Sequence, residues 1–206
     1  MSAALVIDGH PNPASLTASM ARAYAEGHGD ARVLALRDLE FDPILRYGYR
    51  ARTPLEPDLI DAKVALHAAT RIVVATPMWW ASTPALLKGF FDRVLLPGHE
   101  YRYRQSGLPE GLLRGRRGRV LLLADTPWYG AIVPGTPAAA VLKRNILGFC
   151  GIRPVAVNRF LGVKGTDDER RRRWLERARS LGARDARVDA GTATPVPSWR
   201  PVAHVA

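Results

Sequence analysis

The sequence predicts an α/β fold in which a doubly wound, five-stranded parallel sheet carries helices on both of its faces. Short apolar runs alternate along the chain with segments of helical periodicity, which is typical of successive β-α-β units. Threonine and proline stand together where two of the helices are expected to begin. The length of 206 residues and the hydrophobic content of 47% are enough for one continuous core.

The strands are assigned to the apolar runs, at residues 3–8, 32–36, 71–76, 119–124 and 154–158. The helices are expected at residues 15–26, 57–68, 84–95, 137–149 and 167–181. Thr166 and Glu169 have the spacing of a capping box at the start of the fifth helix. Gly151 and Gly182 suit left-handed positions after the fourth and fifth helices.

Two connections, residues 37–56 and 96–118, are too long for simple turns, and loops of this length are commonly functional or bind a partner. The last residues of the chain are rich in proline and small side chains. The sequence therefore predicts one domain at residues 1–190. A C-terminal tail is expected at residues 191–206, either outside the core or clasping a neighbouring subunit.

The single cysteine, Cys150, lies in an apolar run and excludes an internal disulfide. This favours a reducing compartment, so a cytoplasmic location is expected. No apolar stretch approaches the ~20 residues that a transmembrane helix needs, and the chain does not start with a signal-peptide pattern. We therefore expect no integral membrane segment, and no metal site is predicted.

The formal net charge of +11 would permit binding to nucleic acid or to an acidic membrane. However, only four of the 30 basic residues are lysines, and the arginines are scattered along the chain. The densest run, residues 170–173, lies in an expected helix, where consecutive positions spread around the circumference. A solvated basic surface is thus expected, and no nucleic-acid partner is predicted.

The first group of candidate residues follows the first strand, in the segment HPNPASLT at residues 10–17. Ligands of an open parallel sheet bind beyond the carboxyl ends of its strands. A helix that begins here presents unpaired N–H groups and a positive partial charge, which suit a phosphate. The alternative is that Ser15 only caps the helix and that His10 packs against the turn.

The second group follows the third strand and includes the adjacent tryptophans Trp79 and Trp80. Consecutive side chains point in different directions, so one ring points away from the face that the other occupies. A flat aromatic ligand would use the outward ring, and the loop Pro77-Met78-Trp79-Trp80 can supply both an apolar wall and backbone donors near the ligand's polar edge. The alternative is that the tryptophans belong to the core.

The third group follows the fourth strand, in the segment DTPWYG at residues 125–130. Tyr129 offers a phenol that would donate a hydrogen bond to a carbonyl that is being reduced, although an ordinary loop is the alternative. Residues suited to a ligand follow three strands at the same edge of one sheet. Core packing explains three such groups together less easily than it explains any one of them. The conjunction favours a ligand site.

Three motifs carry a resemblance to a known family: HPxxxS at residues 10–15, PxxWxxxPAxLKGxxDRV at residues 77–94, and FCG at residues 149–151. From about Leu5 to about Leu181 the chain resembles the flavodoxin-like NAD(P)H:quinone oxidoreductases. The resemblance implies a flavodoxin-like fold and a non-covalent flavin, FAD more often than FMN, at the interface of a homodimer. It also implies ping-pong hydride transfer from NAD(P)H to the flavin and on to a small-molecule acceptor such as a quinone.

The resemblance also assigns roles to individual residues. The phosphate-binding turn corresponds to His10, Ser15, Leu16 and Thr17, and the loop along the isoalloxazine corresponds to Pro77, Met78, Trp79 and Trp80. Asp125, Thr126 and Trp128 complete the predicted cofactor site. A structural role near the subunit interface is expected for Lys88, Asp92 and Arg93.

The chain departs from the family at residues 126–129, TPWY, where Thr-Thr-Gly-Gly is usual. Pro127 has no N–H and Trp128 is bulky, so flavin affinity or substrate access is expected to differ. The best-studied quinone reductases also place a catalytic tyrosine and histidine after this loop, and no histidine lies between Gly130 and Gly151. Tyr129 is therefore the only catalytic residue that we predict.

Two other functions compete with the enzyme. Some relatives in the family are flavin-binding ancillary regulatory subunits of potassium efflux systems, and a basic surface would suit an acidic leaflet. A one-electron carrier of the flavodoxin type is less favoured, because such carriers tend to be acidic and this chain is strongly basic.

Overall fold

The computed structural model describes residues 3–126 and 136–191, and its centre is a five-stranded parallel sheet. Its strands are β1 (Ala4–Asp8), β2 (Ala31–Ala35), β3 (Arg71–Pro77), β6 (Arg117–Ala124) and β7 (Val155–Leu161). Their spatial order is β2-β1-β3-β6-β7. The predicted fold class is therefore confirmed, and the strand order reverses between β1 and β3, where such sheets bind ligands.

Helices cover both faces of the sheet: α1 (Leu16–His28), α2 (Pro57–Ala68), α3 (Ala85–Val94), α4 (Pro137–Ala140) and α5 (Asp168–Ala190). A π-helical segment, Val141–Leu147, continues α4. Alternate strand residues divide the core, because Leu5 and Ile7 pack with α2, α3 and α4 whereas Val6 packs with α1 and α5.

The fifth helix is longer than the sequence indicates, and Gly182 lies inside it. A Cβ atom on Gly182 would lie 2.1 Å from the carbonyl oxygen of Tyr24 in α1, so this glycine permits the two helices to approach closely. The start of α5 also differs from the prediction. Asp167, not Thr166, caps it by accepting a hydrogen bond from the Arg170 N–H at 2.7 Å.

The connection at residues 96–118 contains an antiparallel ribbon that the sequence analysis did not predict, formed by β4 (Tyr101–Tyr103) and β5 (Pro109–Gly111). Strands of three residues carry too little alternation to be recognised in a sequence. The ribbon lies outside the main sheet.

The connection at residues 37–56 crosses α3. A Cβ atom on Gly89 would lie 2.4 Å from the Cβ of Pro43, so this glycine lets the loop approach the helix. Arg93, whose side chain is buried, donates hydrogen bonds to the Glu56 carboxylate at 2.8 Å and to the Pro54 carbonyl at 2.7 Å. The Arg93 contacts therefore fix this loop within its own chain, whereas Lys88 and Asp92 form an ion pair on the surface.

From residue 192 onward the predicted tail lies outside the described residues, so the division at residue 190 stays a prediction. Among residues 3–126 and 136–191, none of the helices is both long enough and apolar enough to cross a bilayer.

Candidate functional site

The carboxyl ends of β1, β3 and β6 bring the three predicted groups of site residues to one edge of the sheet. Asp8 at the end of β1 pairs with Ala75 of β3, and Pro77 at the end of β3 pairs with Leu123 of β6. His10, Met78 and Asp125 therefore follow three adjacent strands. The ring of His10 meets the ring of Trp79 edge-on, with centroids 5.4 Å apart, so the first two groups are in contact.

The turn before α1 is held by its own polar groups. Ser15 caps the helix, because its Oγ accepts the Ala18 N–H at 3.1 Å. Asn12 Oδ1 accepts the Ala14 N–H at 2.9 Å. The first turn of α1 contains no acidic residue, so its free N–H groups and partial positive charge face the edge without a competing carboxylate. This donor set fits a phosphate group.

The other residues assigned to this turn differ in exposure. Thr17 is buried, and Leu16 is half-buried and packs on the core between α1 and α5. Their backbone N–H groups, at the start of the helix, are the atoms that a phosphate would reach. The side chains of these two residues contribute mainly to packing.

An ion pair beneath the turn was not predicted from the sequence. The buried carboxylate of Asp8 accepts a hydrogen bond from Arg37 Nη1 at 2.6 Å, and the same nitrogen lies 3.2 Å from the His10 carbonyl oxygen. Arg37 thus neutralises the acid at the end of β1 and holds the turn. The signal available in the sequence was a single aspartate that ends an otherwise apolar strand.

His10 has a defined neutral tautomer. Its Nδ1 accepts the Asn12 N–H at 2.9 Å, so the neutral ring carries its proton on Nε2. Partial burial, assisted by the charge of Arg37, outweighs the attraction of Asp8 and lowers the pKa of His10. The imidazole is therefore neutral near pH 7 and can donate from Nε2.

The loop after β3 is a tight turn whose two central residues are strained. The Trp79 N–H donates to the Ser82 carbonyl and the Ser82 N–H donates to the Trp79 carbonyl, both at 2.9 Å. Between them, Trp80 and Ala81 have φ angles of 50° and 60°, as a type I′ turn requires. Side-chain-bearing residues other than Asn and Asp rarely adopt this conformation, and such strain is typical of functional loops.

The structure rules out the alternative that the two tryptophans belong to the core. Trp80 is 99% exposed and Trp79 is 45% exposed, so neither ring belongs to the core. Pro77 is buried as the last residue of β3, and Met78 packs on the core while its N–H donates to the Leu123 carbonyl at 2.7 Å. The turn therefore presents its apolar rings at the site edge, as a flat ligand would require.

The third group is described only in part. Asp125 is exposed and accepts the Lys164 N–H at 2.8 Å, so its carboxylate ties this loop to the segment after β7. Thr126 is half-buried. Trp128 and Tyr129 lie outside the described residues, and their roles stay predictions.

Comparison with known proteins identifies the family. A family model described as "Flavodoxin-like fold" matches residues 2–181. The chain belongs to this family. The chain is similar to an FMN-dependent NADH:quinone oxidoreductase of Azospirillum brasilense, with 31% identity over 196 residues that cover 85% of this chain and 88% of the relative. The resemblance predicted from the sequence is therefore confirmed.

A second relative and a solved structure agree with this assignment. FMN-dependent NADH:quinone oxidoreductase 3 of Pseudomonas aeruginosa is 34% identical over 137 residues. That alignment covers 66% of this chain and 61% of the relative, so the chain matches less than two thirds of that protein's length. The NAD(P)H:quinone oxidoreductase of Methanothermobacter marburgensis has a similar fold, with a TM-score of 0.74 and 24% identity over 88% of this chain and 98% of that chain.

Proposed function

We propose that the protein is a flavin-dependent oxidoreductase that moves hydride from NAD(P)H through bound flavin to a quinone or a similar small acceptor. The observation that carries the proposal is the contact between the His10 and Trp79 rings, because it joins a phosphate-suited helix start to an exposed aromatic turn. A flavin mononucleotide has these two parts, a phosphate and a flat ring. The likeness to the A. brasilense enzyme over 88% of its length supports the same reaction class.

The residues at the edge would divide the work of binding. The first-turn N–H groups of Leu16 and Thr17, with the Ser15 hydroxyl, would hold the phosphate. Trp79 and Trp80 would form an apolar wall. Pro77 has no N–H and the Met78 N–H already binds the Leu123 carbonyl, so these two residues would position the loop and would not donate to the ring. When bound, the flavin supplies the hydride chemistry, and the protein supplies position and exclusion of water.

Protons at the site have two candidate carriers. Neutral His10 can donate from Nε2, since its Nδ1 is engaged by Asn12. Tyr129 remains our candidate for polarising the carbonyl of the acceptor, although it lies outside the described residues. The site contains no carboxylate in the first turn of α1 that would oppose a phosphate, and Asp8 is neutralised by Arg37.

The cofactor that we propose is FMN. The resemblance implied a preference for FAD, but the A. brasilense and P. aeruginosa relatives are both named as FMN-dependent, which does not support that preference. Both names also specify NADH, so we propose NADH as the first co-substrate to test. The same names favour an enzyme over a regulatory subunit of a potassium efflux system.

A homodimer would complete the site. Trp80 exposes 99% of its surface beside the proposed flavin position, and a large apolar ring in that place is expected to be covered. A second copy of the chain is the cover that we propose. Sedimentation of the flavin-loaded protein as a monomer at micromolar concentration would contradict it.

We also propose that the protein works in the cytoplasm. Cys150 is 2% exposed, and burial raises the pKa of its thiol to about 12. The thiol is free and protonated, which is compatible with a reducing compartment.

The experiment that tests the proposed function begins with the absorbance spectrum of the purified protein. We expect flavin bands near ~450 nm, FMN in the material released by heat, and loss of those bands on anaerobic addition of NADH. Subsequent addition of a quinone should restore them with one quinone reduced per flavin. A protein that binds FMN but is not reduced by NADH or NADPH would contradict the enzyme and favour the regulatory subunit.

A further inference from the structure

A cleft of about 410 Å³ lies away from the flavin edge, between the β4–β5 ribbon and the end of the π-helical segment. Three arginines from separate parts of the chain line it: Arg114 after β5, Arg144 in the π-helical segment and Arg153 before β7. The ring of Phe149 forms part of its wall. Nothing in the proposed reaction uses these residues.

The arginines of this cleft carry more positive charge than their own contacts neutralise. Arg114 lies 3.4 Å from the Glu110 carboxylate, which already binds Arg102 at 2.8 Å and Arg104 at 3.2 Å. One carboxylate therefore faces three guanidinium groups, and these hydrogen bonds and charges lower the pKa of Glu110.

The other two arginines are held even more weakly. The Arg153 guanidinium donates a long hydrogen bond, of 3.4 Å, to the Gly148 carbonyl. Within residues 3–126 and 136–191, the exposed side chain of Arg144 makes no hydrogen bond or ion pair. Like charges that converge on one cavity repel one another, so a bound anion would stabilise this arrangement.

The chemistry of the lining indicates what kind of anion fits. Guanidinium groups bind phosphate oxygens through parallel hydrogen bonds, and several of them suit a dianion. Phe149 also borders an adjoining aromatic cavity of about 250 Å³, where its ring lies 4.9 Å from that of Tyr101 and 6.5 Å from that of Tyr103. A phosphate in the cleft would therefore bring an attached flat ring close to the aromatic side chains that share Phe149 with it.

The π-helical segment is a second observation in favour of a ligand. π-Helical turns are rare and frequently occur at functional sites. This one spans Val141–Leu147 and supplies Arg144 directly. The π-helical segment therefore lies at the cleft.

The cleft is separate from the flavin edge. The Arg153 N–H donates to the Arg116 carbonyl at 3.0 Å, immediately before β6, whereas the flavin loop follows the other end of that strand. A strand of eight residues spans about 25 Å. A ligand the size of a mononucleotide does not reach both places.

We propose that the arginine cleft binds a small aromatic phosphate of the nucleoside monophosphate class, at a site independent of the flavin. This proposal does not rest on the oxidoreductase activity. It concerns a binding site and can be tested without turnover.

The test is calorimetric titration of the flavin-loaded protein at low ionic strength with adenosine 5′-monophosphate, inorganic phosphate and adenosine as separate probes. We expect one nucleotide per chain, bound more tightly than either phosphate or adenosine, with the flavin spectrum unchanged. No saturable binding of the nucleotide at millimolar concentration, release of flavin by the nucleotide, or equal affinity for nucleotide and phosphate would each overturn the proposal.

Two variants with the same change of charge show whether the nucleotide binds in the cleft or to the basic surface in general. Arg144→Glu should weaken nucleotide binding by about tenfold or more. Arg172→Glu changes the charge equally at an exposed position on α5, remote from the cleft, and should leave the affinity unchanged. Because the exposed Arg144 side chain makes no hydrogen bond or ion pair within the described part of the chain, its replacement should change the melting temperature little. Equal losses in the two variants would mean that only net charge matters.

Discussion

The ammonium group of Lys63 and the carboxylate of Glu100 lie 3.1 Å apart in the interior, where their side chains are 1% and 0% exposed. The same carboxylate lies 2.6 Å from His67 Nε2 and accepts the Leu96 N–H at 2.9 Å. Burial lowers the pKa of Lys63 although Glu100 opposes the shift. Because Lys63 lies on α2 and Glu100 immediately precedes β4, this pair anchors the 96–118 connection to the domain.

Replacing one member of this pair should be strongly destabilising. Glu100→Gln removes the negative charge and leaves Lys63 buried beside a neutral side chain, which should lower the free energy of unfolding by about 3–5 kcal/mol. Urea unfolding measures the change. The control is Lys88→Ala, which breaks an exposed pair with an even shorter distance of 2.7 Å and should cost less than about 1 kcal/mol. Similar losses in both variants would contradict the dominant role of burial.

Acid should weaken the attachment of α5 to the sheet. Burial alone would raise the pKa of Asp185, but hydrogen bonds from Arg119 and Tyr24 and the charges of Arg119 and Arg71 outweigh it and lower the pKa below its ordinary value of 3.8. The carboxylate therefore contributes stability that is present above its unfolded pKa and is lost as pH falls through the lower folded pKa.

The measurement is the unfolding midpoint in urea between pH 5 and pH 2. Asp185→Asn should be less stable than the unchanged protein at pH 5 and should lose less stability on acidification. Asp168→Asn, at a position whose side chain is 93% exposed, should follow the unchanged protein across the range. If the stability of Asp185→Asn and that of the unchanged protein fell in parallel as the pH is lowered, Asp185 would not be the group whose protonation destabilises the protein.

Substitutions at Ser15 can separate helix capping from phosphate binding. Ser15→Ala removes the acceptor for the Ala18 N–H and should cost about 1 kcal/mol of stability. Ser15→Asp retains a capping oxygen, so the stability of the flavin-free protein should be preserved, while its negative charge should weaken FMN binding. Fluorescence titration with FMN gives the affinity. Unchanged FMN affinity in Ser15→Asp would remove this turn from the phosphate site.

The exposed Trp80 ring should matter for flavin reduction and not for folding. Trp80→Ala should leave the stability of the flavin-free protein within about 0.5 kcal/mol, because the side chain is 99% exposed. Trp80→Gly should raise that stability by about 1 kcal/mol, because glycine adopts the φ angle of 50° without strain.

Both Trp80 variants lose the indole, so both should alter flavin fluorescence and slow flavin reduction by NADH in stopped flow. A gain of stability in Trp80→Gly only, together with a slower reduction rate in both variants, separates the strain of the turn from the role of the ring. Normal reduction rates in both variants would show that the ring does not contact the flavin.

Local patterns in the sequence were sufficient to predict the strands of the sheet. The apolar runs identified all five parallel strands, and the three central ones, β1, β3 and β6, are buried on both faces. Pro57 marked the beginning of α2 correctly. The positions after the first, third and fourth of these strands also identified the segments that meet at the site edge.

Tertiary contacts decided the rest, because their causes lie far apart in the chain. Gly182 has the sequence pattern of a helix end, yet its purpose is the close approach of Tyr24 on another helix. Asp8 and Arg37 are 29 residues apart and meet only because β1 and β2 are neighbours.

The sequence by itself thus determined the strands, most helix boundaries and the edge where the candidate residues meet, since each depends on periodicity and turn chemistry within a few residues. Only the tertiary structure decided that Trp80 faces solvent and that Arg114, Arg144 and Arg153 line one cleft. The exposure of a side chain and the convergence of charges depend on how separate elements pack, and no local pattern encodes either of them.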